Sequence, residues 1–208
     1  MANPLYDNLI SKNSNKNTCF LEQSGKAAVS FCQFSERTNQ VANLLVKYGL
    51  QPGDRVAVQA EKTIEIIILY AATIQAGGVF LSLNTDYKKD EISYFIKDAS
   101  PKIFVCDPQK RKDLEDIADQ VGSQVLTLDK DGQGSPQSQA NILSKTFNTI
   151  DRGPDDLVAL LYTSGTTGRS KGAMLTQNNL LSNAKTLKNL WEVNEDDILI
   201  HALPIFHT

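Results

Sequence analysis

Apolar positions in the first 130 residues alternate between the period of a helix and that of a short buried strand. Val41, Leu44 and Leu45 fall at helical spacing, which predicts an amphipathic helix over 33–48 that ends before Gly49. Residues 55–60 form a short apolar run after a Pro-Gly turn, which predicts a strand. A helix and a strand therefore follow one another.

The same alternation continues to residue 128. Thr63 is placed to cap a second helix, which ends at the Gly77-Gly78 pair. Further helices are predicted over 89–98 and 108–121, and further strands over 79–83, 102–106 and 124–128. Strands that alternate with helices indicate right-handed crossovers and a parallel sheet. The predicted fold class is α/β, doubly wound, with mostly parallel strands and flanking helices.

The most apolar stretch, residues 64–83, is long enough on paper to cross a bilayer. Glu65 and Gln75 interrupt it, and two glycines divide it. A buried helix followed by a buried strand explains the stretch better, so no membrane span is expected.

The chain is predicted to divide near residue 150. Residues 129–150 are polar and rich in turn formers, which predicts a surface loop. Residues 1–150 would form a first α/β subdomain, and residues 151–208 would begin a second one with a buried strand over 157–162.

Composition narrows the class of protein. The 208 residues are 41% hydrophobic and 22% charged, which excludes a disordered tail, a collagen-like rod and a disulfide scaffold. The formal net charge is −3 without a basic run, which argues against a dedicated nucleic-acid binder. Three widely spaced cysteines and no visible targeting signal favour a reducing, cytoplasmic location.

A run of hydroxyl residues, glycines and one lysine follows the strand over 157–162. Glycines allow backbone N–H groups to converge on an anion, hydroxyls add donors, and Lys171 adds a positive charge. A helix capped by Thr176 comes next, so the run is predicted to be a phosphate-binding loop between a strand and a helix. The spacing differs from the Walker A pattern, because Lys171 lies three residues after Gly168 and precedes a glycine. The alternative without a binding function is a flexible Ser/Gly-rich surface loop.

Residues 162–176, Tyr-Thr-Ser-Gly-Thr-Thr-Gly-Arg-Ser-Lys-Gly-Ala-Met-Leu-Thr, closely resemble the phosphate-loop motif of adenylate-forming enzymes. This superfamily contains acyl-CoA synthetases, luciferases and peptide-synthetase adenylation domains. Residues 200–208 resemble its aromatic/His substrate-site motif, and residues 49–58 and 76–84 resemble its N-terminal subdomain. The resemblance covers nearly the whole chain.

Within the superfamily, the chain is most similar to malonyl-CoA synthetases. The segments that carry this similarity are 56–62, 168–176 and 199–208. Aryl- and other short-chain CoA ligases share much of the same sequence, so a different small acid stays open as the substrate.

The resemblance implies an activity and its substrates. Family members use ATP and Mg²⁺ to convert a carboxylic acid into an acyl-adenylate, and a thiol then takes the acyl group. The expected partners here are ATP, coenzyme A and a small carboxylic acid, with malonate favoured.

The resemblance also implies site residues. The β- and γ-phosphates would be held by Thr163, Ser164, Gly165, Thr166, Thr167, Gly168 and Lys171. Thr163 is also the position associated with Mg²⁺, and His207 falls on the substrate-site position as the catalytic candidate. Arg169 is left open between a phosphate contact and a solvated loop charge.

Other conspicuous residues receive structural interpretations. His201 is expected on a strand of a second sheet, and Trp191 is expected to pack after a helix. The pair Asp196-Asp197 is expected to form a turn before a strand at Ile198, because nothing nearby supplies further metal ligands.

The chain ends inside a motif, and the superfamily's later motifs do not follow. The resemblance therefore implies the N-terminal part of the large domain, with the C-terminal domain absent. Such a fragment would have little or no turnover alone and would expose apolar surface that favours self-association. The open alternatives are a CoA ligase for another short-chain or aryl acid, an adenylation domain that loads a carrier protein, and a non-catalytic nucleotide-binding remnant.

Overall fold

The computed structural model describes residues 3–163 and 170–206. The described α-helices are α1 Pro4–Leu9, α2 Phe31–Lys47, α3 Ile64–Gln75, α4 Lys89–Ala99, α5 Arg111–Asp119, α6 Ser135–Ala140 and α7 Gln177–Leu190, with a short 3₁₀ turn at Ser11–Asn13. The described strands are β1 Cys19–Leu21, β2 Val29–Ser30, β3 Arg55–Gln59, β4 Val79–Ser82, β5 Ile103–Cys106, β6 Gln124–Thr127, β7 Leu157–Thr163 and β8 Lys171–Thr176.

One sheet organises the fold. Within the described residues it has six strands in the order β6-β5-β3-β4-β7-β8. Every neighbouring pair is parallel except β7 and β8, which are antiparallel. Strands β1 and β2 pair separately as an antiparallel ribbon. The predicted α/β class with a mostly parallel sheet is confirmed.

Helices cover both faces of the sheet. Successive residues of a strand point to opposite faces, so each strand contributes side chains to two cores. Val56 and Val58 of β3 pack into a core formed with α2, α3 and α6. Ala57, between them, packs into a second core formed with α4 and α5. This alternation is what a doubly wound sheet requires.

The apolar stretch 64–83 is a buried helix followed by a buried strand, as predicted. The Thr63 side chain accepts from the Ile66 amide at the start of α3, and Gly77 has a φ of +75° just after its end. No helix in residues 3–163 or 170–206 is long and apolar enough to cross a membrane.

Helix α5 begins later than predicted, at Arg111 rather than at residue 108. The Asp107 carboxylate accepts from the Gln109 amide at 2.8 Å, and the backbone carbonyl of Asp107 accepts from the Lys110 amide. An aspartate that closes a local turn competes with helix formation, so the helix starts only after that turn.

The segment 129–150 is only partly the surface loop that its composition predicts. Residues 135–140 form α6, whose Pro136 and Ala140 are buried. Amide side chains of α2 then bind the carbonyls that follow: Gln40 donates to Asn141 at 3.0 Å, and Asn43 donates to Thr146 at 2.9 Å. The loop prediction was wrong for α6, because burial against α2 outweighs the polar composition.

Strand β7 continues the sheet beside β4, in register through Phe80↔Ala159 and Leu81↔Leu160. Residues from both sides of position 150 therefore share one sheet. The division into subdomains 1–150 and 151–208 stays a prediction.

The chain's first helix fastens the later segment to the sheet. The Leu5 amide donates to the Gln177 side chain at 3.1 Å, and the Asn3 amide side chain donates to the Ile74 carbonyl at 2.8 Å. A third core lies between α1, α3, β7 and α7; it contains Leu5, Tyr6, Ile74, Val158 and Leu181. Helix α7 is thereby held against the rest of the molecule.

The residues after α7 do not form the predicted strand. Ile198, Leu199 and Ile200 have no regular secondary structure and are 82–91% exposed. A strand is stable only when it is paired, and no strand in the described part of the chain lies beside them. The strand at Ile198, and with it the strand position of His201, was therefore wrong.

The predictions for Trp191 and for the pair Asp196-Asp197 have different outcomes. Trp191 ends α7 with 66% of its surface exposed, so the packing prediction was wrong. The turn at Asp196-Asp197 is confirmed: the Asp197 carboxylate accepts from the Asn194 amide at 2.8 Å.

The buried hydroxyl of Tyr70 is expected to make the protein less stable at alkaline pH. Burial raises the pKa of Tyr70 to about 12, above its ordinary value of 10.0. The unfolded chain therefore loses this proton first, and the free energy of unfolding falls as pH rises from 10 towards 12, by about 1.4 kcal/mol per pH unit. Tyr70→Phe should lose stability less steeply than the wild type across this window in denaturant titrations. Parallel curves for the two proteins would contradict the assignment.

Candidate functional site

The carboxyl edge of the sheet collects the residues that the sequence singles out. Because β3, β4, β5 and β7 are parallel, they all end on this edge, at Gln59, Ser82, Cys106 and Thr163. Helix α3 leaves β3 towards one face, whereas α4 leaves β4 towards the other. Neighbouring connections that diverge in this way open a crevice where α/β proteins bind ligands.

Thr163 and Lys171 lie opposite each other in the last register pair of the β7–β8 hairpin. Both side chains are exposed at the carboxyl edge. The two described candidates of the predicted phosphate loop are therefore brought together at its two ends.

The other candidates lie outside the described residues, and their roles stay predictions. They are Ser164, Gly165, Thr166, Thr167, Gly168, Arg169 and His207.

The element after the loop differs from the prediction. Lys171 begins strand β8, and Thr176 caps α7 only at the far end of that strand, about 17 Å further along. The loop is therefore a hairpin connection, and the dipole of α7 does not act on it. The strand escaped prediction because it lies at the sheet edge with Met174 66% exposed, so its apolar pattern is weak.

Gly172 lies where the hairpin crosses the side chain of Leu160. A Cβ at this position would come within 2.9 Å of Leu160 Cδ1. A larger residue at this position would therefore require the end of the Leu160 side chain to shift.

Helix α4 holds both ends of the loop. The Tyr94 hydroxyl donates to the Ser170 carbonyl at 2.9 Å, and the Tyr162 hydroxyl donates to the Asp98 carboxylate. Burial and the hydrogen bond to Asp98 raise the pKa of Tyr162 above its ordinary range, so this hydroxyl stays protonated as a donor. Sequence reasoning missed these contacts, although the four-residue spacing of Tyr94 and Asp98 puts them on one helix face.

The loop after β4 is fixed from two neighbouring strands. The Gln59 side chain donates to the carbonyls of Asn84 at 2.9 Å and Tyr87 at 3.0 Å. Lys110, just after β5, donates to the Thr85 carbonyl at 2.7 Å. These bonds fix the backbone that borders the crevice.

Lys62 ties the predicted substrate-site segment to the same edge. Its ammonium donates to the carbonyls of His201 at 2.7 Å and Leu203 at 2.8 Å. Ile205 packs, partly buried, against the core that contains α2 and α3. His201 therefore contributes its backbone, and the segment that leads to His207 is attached to the connection between β3 and α3.

The donor chemistry fits a magnesium ion that is carried mainly by phosphate oxygens. Among residues 3–163 and 170–206, no group of three His, Cys, Asp or Glu residues could hold a metal. Mg²⁺ keeps several waters and needs only one or two protein oxygens when a substrate's phosphates coordinate it. Thr163, the residue predicted to bind Mg²⁺, is exposed at this edge, so its hydroxyl could supply one such oxygen, and its role stays a prediction.

Sequence comparison gives a family match across most of the chain. Residues 10–208 match the family described as AMP-binding enzyme. Oxalate–CoA ligase of Arabidopsis thaliana is 29% identical over 193 residues, which cover 90% of this chain and 37% of that protein. Tyrocidine synthase 2 of Brevibacillus parabrevis is 37% identical over 147 residues, which cover 71% of this chain and 4% of that protein.

Structural comparison agrees with the family match. Apo MatB from Rhodopseudomonas palustris superimposes with a TM-score of 0.95 at 51% identity, over 99% of this chain and 41% of that one. ATP-bound MatB from the same organism gives the same TM-score at 52% identity. The chain thus spans about two fifths of the length of these proteins. With its fold, its hairpin loop and this match in agreement, the chain belongs to the AMP-binding enzyme family, the adenylate-forming superfamily that its phosphate-loop motif resembles.

Proposed function

We propose that the protein, at the full length that its gene encodes, is an ATP-dependent acid–CoA ligase that converts malonate into malonyl-CoA. The observation that carries the proposal is the pairing of Thr163 with Lys171 at the carboxyl edge of the sheet, in a chain of the AMP-binding family. A hydroxyl and a mobile cation at the ends of a glycine-rich loop are suited to a triphosphate.

The first step forms an acyl-adenylate. A carboxylate oxygen of the acid attacks the α-phosphorus of ATP, and the bond to the β-phosphate oxygen breaks to release pyrophosphate. Negative charge builds on phosphate oxygens, so fixed donors around them lower the barrier. Lys171 would neutralise part of that charge, while Thr163 and the other hydroxyls of the loop would orient the β- and γ-phosphates.

Magnesium would supply screening of the triphosphate and stabilisation of the leaving pyrophosphate. Thr163 is the described residue proposed to hold it. ATP bound to the structural relative MatB supports the choice of nucleotide.

The second step transfers the acyl group. The thiol of coenzyme A loses its proton, its sulfur attacks the acyl carbon, and AMP leaves as the thioester forms. This step is proposed for the whole protein, because the chain spans 41% of the MatB relative. The 208-residue chain alone is expected to show little or no turnover.

We propose malonate as the acid substrate because of sequence resemblance. The segments 56–62, 168–176 and 199–208 resemble malonyl-CoA synthetases, and one relative is named for oxalate, another dicarboxylate. His207 is the proposed catalytic residue at the acid site, since the segment before it is anchored to the crevice by Lys62.

A second candidate is an adenylation domain that loads a carrier protein. The observation that favours it is the 37% identity to tyrocidine synthase 2. It predicts the same adenylation step but transfer of the acyl group to a phosphopantetheine arm instead of coenzyme A.

Acid-dependent exchange of pyrophosphate into ATP tests the adenylation step directly. The full-length protein should catalyse exchange, and malonate should support it better than acetate, methylmalonate or an aryl acid. Subsequent addition of coenzyme A should yield malonyl-CoA. Exchange with a different acid would keep the ligase and discard malonate, whereas no exchange with any acid would favour the nucleotide-binding remnant.

Lys171→Ala tests the loop. Loss of a charge that stabilises phosphate in the transition state should slow exchange by roughly 100-fold, on the scale of losing one stabilising donor. The melting temperature should change little, because the side chain is exposed. Lys185→Ala, at an exposed lysine of α7, is the matched control and should keep wild-type rates. Equal rates for both variants would remove Lys171 from the site.

Lys62→Met tests the anchoring of the acid-site segment. Methionine keeps the apolar stem but donates to neither His201 nor Leu203, so amide hydrogen exchange across 201–206 should speed up several-fold. The KM for the acid should rise in the full-length enzyme. Lys12→Met removes an exposed lysine within the N-terminal segment and serves as the control. Unchanged exchange across 201–206 would show that Lys62 does not hold the segment.

A further inference from the structure

We infer that helix α4 positions the two described ends of the β7–β8 hairpin, and that the hydrogen bond from Tyr94 to Ser170 determines how tightly Lys171 holds the triphosphate. The inference rests on the proposed function. It assigns Tyr94 and Asp98 as positioning residues that act through the backbone and side chains of the β7–β8 hairpin.

Two contacts reach the loop from opposite ends. At the end of β7, Tyr162 directly precedes Thr163, and its hydroxyl donates to the Asp98 carboxylate. At the start of β8, Ser170 directly precedes Lys171, and its carbonyl accepts from the Tyr94 hydroxyl at 2.9 Å. Tyr94 and Asp98 are separated by one helical turn, so a single face of α4 holds both ends.

That face is a rigid support. Ile92, Phe95 and Ile96 are buried between α4 and the sheet. The rings of Phe95 and Tyr162 lie 4.5 Å apart between centroids, and those of Tyr94 and Tyr162 lie 6.2 Å apart in an edge-to-face arrangement. The two hydroxyls are thus held at fixed positions above the hairpin.

The energetic consequence follows from the position of Ser170. Its carbonyl belongs to the peptide group that joins it to Lys171, so the bond from Tyr94 fixes the direction in which β8 begins. Without that bond the hairpin end samples more orientations, and only a fraction of them present Lys171 to a phosphate. The apparent dissociation constant rises by the inverse of that fraction.

Neither side chain is proposed to touch ATP. The Tyr94 hydroxyl is directed to a backbone carbonyl and the Asp98 carboxylate accepts from Tyr162, so both act before the nucleotide arrives. A loss of pre-organisation weakens ground state and transition state equally. It should therefore raise KM for ATP while leaving kcat unchanged.

Tyr94→Phe in the full-length protein tests the inference. The ring packing is kept and one hydroxyl is removed, so KM for ATP in pyrophosphate exchange should rise roughly two- to tenfold, the range for one lost neutral hydrogen bond. Amide exchange at 170–172 in the ATP-free protein should speed up. Tyr48→Phe removes a hydroxyl that binds Gln139 on the far side of the sheet, and it should match the wild type in both measurements.

Asp98 offers a conservative pair of variants. Asp98→Asn keeps an oxygen that can accept from Tyr162 and should behave like the wild type. Asp98→Ala removes the acceptor and should resemble Tyr94→Phe. A purely structural role would instead lower the melting temperature of Asp98→Ala without any change in KM for ATP.

The outcomes separate this inference from the proposed function. An active wild type with an unchanged KM in Tyr94→Phe overturns the positioning role and leaves the ligase intact. If the wild type catalyses no exchange with any acid, the ligase proposal fails, and the hydrogen-exchange measurement alone decides the inference. Unchanged amide exchange at 170–172 in Tyr94→Phe would then overturn it.

Discussion

The parallel pairing of β4 with β7 is the constraint on which the candidate site depends. Phe80 and Leu81 bond in register with Ala159 and Leu160, residues about 80 positions later in the chain. Because the pairing is parallel, β7 must end on the same edge as β3, β4 and β5. A slip by one residue would reverse which side chains face each core. The register thus fixes both the burial of Val158 and the location of Thr163.

A second feature unites the carboxyl edge. Four side chains there donate to backbone carbonyls: Lys62, Gln59, Lys110 and Tyr94 bind carbonyls of three separate segments. Free carbonyl oxygens carry partial negative charge and would repel an anionic ligand. These four contacts reduce that repulsion at the carbonyls they bind, and they hold three otherwise irregular segments in place.

The sequence predicted the parts of the fold where burial and local capping agree. Val56 and Val58 alternate with Ala57 in β3, and Thr63 and Thr176 cap α3 and α7, so pattern and structure coincide there. It failed where long-range contacts decide the outcome. Helix α6 forms because it packs on α2, β8 because it pairs with β7, and the apolar run at Ile198 stays unpaired within the described chain. Tyr94 was missed because its partner is a backbone carbonyl 76 residues away, which no local motif records.

The proposed function depends on binding of the ATP phosphates at the end of the β7–β8 hairpin. Competitive acetylation of lysines in the full-length protein, read by mass spectrometry with and without ATP and Mg²⁺, tests it most directly. The nucleotide should slow modification of Lys171 several-fold and leave the modification rate of Lys185, on α7, unchanged. Equal modification of Lys171 in the two conditions, at an ATP concentration where binding is measured independently, would contradict it.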